Sequence, residues 1–122
     1  MIIALPIDEK NININVSESF GRSKYFILYN DYSEDCIFVD NRGLNSEDGA
    51  GIEAAQTLID HHADVVFLKR CGKNAAKVLE EAGIKLYEAQ DIPVLENVKL
   101  YRTNNLKELE NIHEGYHGHG GN

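Results

Sequence analysis

The run Asp64-Val65-Val66-Phe67-Leu68, set between two stretches of helical periodicity, constrains the fold more than any other feature of the chain. A short strand that is apolar at every position must be covered on both faces, and strands of that kind belong to parallel sheets flanked by helices. The stretch before it supplies one helix. From Ala50 onward Ile52, Ala55, Leu58 and Ile59 share a face while Glu53, Gln56 and Asp60 lie away from it, which predicts a helix from Ala50 to about His62. The stretch after it supplies a second helix over 74–82, with Asn74 as a candidate N-cap and Gly83 as a C-terminal stop.

The other elements fall into place around these. Residues 2–7 read as a short, buried, central strand. Segments 24–29 and 35–39 are rich in aromatic and β-branched residues, and the polar stretch 30–34 joins them as a hairpin. Residues 84–87 form one more strand, and 94–101 a third helix that starts just after Pro93. Leu106 and Leu109 suggest a last helical turn or two. The order β-β-β-α-β-α-β-α, with an antiparallel hairpin followed by helical crossovers, predicts an α/β domain. Its mixed five-stranded sheet has an order near 3-2-1-4-5, only strand two runs antiparallel, and helices flank it: a ribonuclease H-like arrangement. One α/β domain over 1–110 is expected, followed by a flexible His/Gly-rich tail over 111–122.

Charge and cysteine content narrow the function classes. Twelve Lys and Arg against twenty Asp and Glu give a net charge of -8, which repels a phosphate backbone and argues against nucleic acid as a partner. The opening residues lack the basic flank and long apolar run of a signal peptide, and the first strand is too short to cross a bilayer. Two cysteines make no disulfide framework, so a soluble protein of the reducing cytoplasm, with no membrane partner, is expected.

In such a sheet, ligands bind beyond the carboxyl ends of the parallel strands, where the strand order switches. That edge should collect Asp8, the segment Asp48-Gly49-Ala50-Gly51, the segment Arg70-Cys71-Gly72-Lys73-Asn74, and Gln90-Asp91. Because strand two runs backwards, Phe20-Gly21-Arg22-Ser23 arrives at the same edge. Helix N-termini present unpaired N–H groups and partial positive charge, and glycines let a ligand approach the backbone, so the edge suits an anion. A thiolate at Cys71 would gain from the helix end and from Arg70 and Lys73, which would lower its pKa and make it a better soft-metal ligand. The plainer account is that Gly49, Gly51 and Gly72 make turns and Cys71 is a small spacer. Cys36, in an edge-type strand, reads as a packing residue, and His61 and His62 as complements to the dipole at the far end of the first helix.

The tail holds three of the five histidines. The spacing of His113, His117 and His119 can wrap imidazoles around a divalent ion such as zinc, nickel or copper, or can simply be a solvated end with adventitious metal affinity.

Four segments carry a family resemblance: Ile3-Ala4-Leu5-Pro6-Ile7-Asp8, Val16-Ser17-Glu18-Ser19-Phe20-Gly21-Arg22-Ser23, Gly49-Ala50-Gly51-Ile52-Glu53-Ala54-Ala55 and Cys71-Gly72-Lys73-Asn74-Ala75. In order and spacing they resemble the dinitrogenase iron-molybdenum cofactor-binding family over about residues 1–109. The resemblance implies a ribonuclease H-like fold and a role in binding, storing or delivering an iron-molybdenum cofactor or a related metal–sulfur cluster. It implies Phe20, Gly21, Arg22, Gly49, Gly51, Cys71, Gly72 and Asn74 as cofactor-binding residues, and a cluster-donating or cluster-accepting protein as partner. Ser19 stands where the family often has a histidine, and Lys73 where it usually has a proline; the first departure makes the implied role a general one of cluster or metal binding.

Three readings follow. In the leading one the protein is a non-enzymatic carrier, with an anionic metal–sulfur cluster resting on the backbone near Gly49–Gly51 and Gly72–Asn74, offset by Arg22 and ligated by Cys71. In the second it is a partner-binding or metal-sensing module that uses the histidine tail. In the third, Asp8, Glu53 and Asp91 hold metal ions in a nuclease site, which the acidic surface disfavours.

Overall fold

The computed structural model describes residues 1–113. Its elements are β1 (Ile2–Ile7), β2 (Tyr25–Asn30), β3 (Cys36–Asp40), α1 (Ala50–Asp60), β4 (Val65–Leu68), β5 (Cys71–Gly72), α2 (Lys73–Glu81), β6 (Lys85–Glu88), α3 (Val94–Arg102) and β7 (Ile112–His113). The main sheet has the order β3-β2-β1-β4-β6. This is the expected order once the two-residue strand β5 is counted. β2 is antiparallel to β1 and β3, while β1, β4 and β6 are parallel.

The apolar run that defined the fold is buried along its whole length as β4. Alternation explains why: Val66 and Leu68 join the core formed with α1 and α2, and Val65 and Phe67 join the core formed with α3. β1 divides in the same way, with Ile3, Leu5 and Ile7 against Val94 and Val98, and Ala4 on the opposite face. Two helices on one face and one on the other make a three-layer α/β domain.

Gly83 ends the second helix with φ +82, and Pro93 precedes the third with φ -57, as their residue types dictate. Three expectations differ. Gly72, not Asn74, is the N-cap of α2, because Cys71 and Gly72 are extended and the helix begins directly after them. Leu106 and Leu109 are buried but not helical. Their segment runs beside β6 instead, with an antiparallel bridge between Tyr87 and Glu108 and hydrogen bonds from Glu88 N to Lys107 O (2.8 Å) and Leu109 N to Leu86 O (3.0 Å). An edge strand with unpaired N–H and C=O groups outbids a marginal helical turn. Finally Ile52, expected in the core, is 37% exposed, because its side of α1 faces a cleft.

Candidate functional site

The segment ahead of β2 reaches the carboxyl edge of β1 and β4 because β2 runs antiparallel to β1. It is held there by its own hydroxyls. Ser17 Oγ accepts from Ser19 N (3.2 Å), and Ser19 Oγ accepts from Arg22 N (2.8 Å), which closes a tight Ser19–Arg22 turn. Ser19 therefore has a local structural use. Phe20 anchors the turn by packing on Phe26, with ring centroids 5.5 Å apart.

Asn41, buried just after β3, is the bracket for this turn. Its Nδ2 donates to Phe20 O (3.1 Å) and Ser23 O (3.0 Å), and its Oδ1 accepts from Gly43 N (2.9 Å). Gly43 is in turn so close to Gly21 O and Ala50 O that a Cβ would overlap both. Arg22 Nη1 donates to Gly43 O and Leu44 O (3.2 Å each) and to Ser46 O, so the guanidinium expected to offset a ligand's charge is also the clasp of the 43–46 loop. Asn41 and Gly43 were not singled out from the sequence. The Asn-x-Gly pattern after a strand is a turn signal, but which carbonyls the amide meets depends on segments some twenty residues away.

The two helices complete the site. Gly49 enters α1 with φ +69, a left-handed conformation that favours glycine. A Cβ on Gly21 would stand 3.2 Å from Gly51 N, so the turn lies flat on the start of α1. A Cβ on Gly51 would stand 3.2 Å from Ala75 Cβ, so the starts of α1 and α2 meet as well. Neither helix start is capped by a side chain. The N–H groups of each first turn have no partner within their own helix.

Between these parts opens a cleft of about 660 Å³, and all eight residues expected to bind a cofactor line it: Phe20, Gly21, Arg22, Gly49, Gly51, Cys71, Gly72 and Asn74. Arg70, Glu18, Glu47 and Asp48 stand on it too. Glu18 is partly neutralised by Lys69 Nζ at 2.6 Å, which also bridges to Asp91 at 2.8 Å. Burial alone would lower the Lys69 pKa, but its hydrogen bonds with Asp91 and Glu18 outweigh that and hold it above the usual value.

The expected thiolate at Cys71 is corrected. Cys71 is 2% exposed and belongs to the core beneath the cleft; burial first, then the nearby Glu80 charge, push its pKa up to about 12. Desolvation outweighs the helix end and the neighbouring basic side chains, so the resting form is a neutral thiol. Cys36 is half-buried at the start of β3 and packs on the α3-side core. His61 is the C-cap of α1, with Nδ1 2.9 Å from Thr57 O.

Asp8, Glu53 and Asp91 do not form a metal site. Asp8 Oδ1 accepts from Lys24 N (3.2 Å) and Asp91 is bound to Lys69. Among the described residues, no group of three or more His, Cys, Asp and Glu is placed to hold a metal ion. Of the three tail histidines, His117 and His119 lie outside the described residues. His113 lines the cleft, because β7 pairs in parallel with β5 in the register Cys71↔Ile112 and Gly72↔His113.

The model of the dinitrogenase iron-molybdenum cofactor family matches residues 1–104, most of the chain and nearly the whole cleft. The chain belongs to this family. Its fold is similar to that of the orange protein from Desulfovibrio gigas, solved in its apo form, with a TM-score of 0.85, 26% identity and coverage of 90% of this chain and 93% of that one. A NifB-like protein from Thermotoga, assigned to the DUF35 family, superposes with a TM-score of 0.77 at 27% identity over 98% of both chains. An uncharacterized protein of Methanocaldococcus jannaschii is 27% identical over 113 residues, 90% of this chain and 92% of its own. Membership supports cofactor-related binding. Among the described residues, no helix is long and apolar enough to cross a membrane.

Proposed function

We propose that this family member is a non-enzymatic carrier, built on a ribonuclease H-like sheet, whose cargo is an iron-molybdenum cofactor or a related anionic metal–sulfur cluster. It would act in cofactor assembly, storage or delivery, between a cluster-donating and a cluster-accepting protein. The observation that carries this reading is the meeting of two helix N-termini without side-chain caps, at Gly51 and Ala75, on a cleft lined by several glycines. Two converging sets of N–H groups bind a multiply charged anion without a covalent bond, which is what a carrier that must release its cargo requires. Ile52 and Phe20 add apolar walls suited to a sulfide-covered surface. Cys71 joins the cargo only where a metal displaces its proton, so the thiol contributes a reserve contact and the N–H groups the main one.

The test is anaerobic reconstitution with iron, sulfide and molybdate, followed by visible absorbance and metal analysis after desalting. Asn74 is exposed on the cleft, so Asn74→Trp fills the space without entering the core. The variant should retain at least about tenfold less cluster, a binding loss of ~1.4 kcal/mol or more. Equal retention by Asn74→Trp would place the cargo elsewhere.

A further inference from the structure

The last described residues do something the family match does not cover. That match ends at residue 104, yet the chain continues as a strap that packs on the domain. Leu106 and Leu109 are buried, one in each core, and the bonds between 107–109 and β6 hold the strap along the open edge of the sheet. From there it crosses to the cleft, where Cys71 N donates to Asn111 O (3.1 Å) and the two-residue ladder of β5 and β7 forms.

The register of that ladder determines what reaches the site. Residues opposite one another in paired strands share a face, and successive residues alternate. His113 is opposite Gly72, so no side chain faces the imidazole across the ladder. Both His113 and Cys71 line the cleft, from opposite faces of the ladder, His113 exposed and Cys71 buried in the core.

We propose that His113, delivered by the C-terminal strap, ligates a metal of the cleft's cargo through a ring nitrogen. This rests on the carrier reading above and names the ligand that holds the cargo from the open side. The bond forms from the lone pair of a neutral imidazole to a metal whose exchangeable solvent or thiol ligand leaves, with no change of oxidation state. Release then requires that this bond and the two-residue ladder open as well as the N–H contacts, so the strap lengthens the residence time of the cargo.

The experiment uses the full chain, labelled with 15N-histidine and reconstituted anaerobically with iron, sulfide and molybdate. Pulsed electron paramagnetic resonance on the cluster in its paramagnetic state reads the histidine nitrogen coupling, and transfer to a chelator reads release. The wild type should show one imidazole coupling. His113→Gln should still take up cluster, lose the coupling and release the cluster about tenfold faster or more. The double variant His117→Gln/His119→Gln should keep both coupling and release rate. A cluster that binds without imidazole coupling, or a coupling that survives in His113→Gln, overturns the proposal and leaves the carrier reading standing. A wild type that retains no cluster overturns both.

Discussion

A Cβ placed on Gly51 would stand 3.2 Å from the Ala75 side chain, so the first turns of α1 and α2 touch at the one point where α1 has no side chain. A substitution there sets two effects against each other. Replacing glycine in a helix gains roughly 0.5–1 kcal/mol of propensity when the new residue is alanine, and less when it is β-branched. Gly51→Val adds two further methyl groups to a contact already tighter than normal, and overpacking of that kind costs about 1–3 kcal/mol. The expected net result is a loss of ~1–2 kcal/mol in urea unfolding, with cluster retention reduced because the two N-termini are pushed apart.

Asn41→Ala should cost more. The substitution strands Phe20 O and Ser23 O without their amide donor and Gly43 N without its acceptor, in a buried setting. Each unmet buried group costs about 1–3 kcal/mol, with some relief from entering water. A total loss of ~2–4 kcal/mol is expected, together with a loosened Phe20–Arg22 turn. Asn41→Asp should be at least as damaging at neutral pH, because a carboxylate would face the same carbonyl oxygens. Thermal unfolding of the two variants side by side checks the order.

The buried thiol of Cys71 gives stability a specific dependence on alkaline pH. Its pKa rises from 9.0 to about 12 on folding, so between those values the folded state holds a proton that the unfolded state has lost. The contribution is complete below about pH 9 and is lost as pH rises toward 12, with a slope approaching 1.4 kcal/mol per pH unit. Cys71→Ala removes that slope, so the stability difference between wild type and variant should shrink through this window. A constant difference from pH 8 to pH 11 would contradict the burial of the thiol. In the same protein at pH 8, a thiol reagent should modify half-buried Cys36 well before Cys71, although burial and Asp35 also raise the Cys36 pKa.

Most of the architecture was legible in short stretches of sequence, because each signal is local. An apolar run of strand length, two amphipathic periods and a hairpin determine the β3-β2-β1-β4-β6 sheet and the direction of each strand. Strand direction in turn determines which loops share the carboxyl edge, which is why the sequence alone brings Phe20, Gly21, Arg22, Gly49, Gly51, Cys71, Gly72 and Asn74 together.

The features that depend on three-dimensional packing share a physical cause: each is set by groups distant in sequence. The protonation of Cys71 follows from how completely α1, α2 and β4 exclude water, which no count of neighbouring basic residues conveys. The importance of Asn41 and Gly43 follows from carbonyls of the Phe20–Ser23 turn and of Ala50 that fold against them. Residues 106–109 carry apolar spacing compatible with a helical turn, and it is the unpaired edge of β6 that draws them out into an extended strap. That same strap carries His113 from the expected tail to the mouth of the cleft, since a backbone ladder to Cys71 and Gly72 can be read only once both segments are in place.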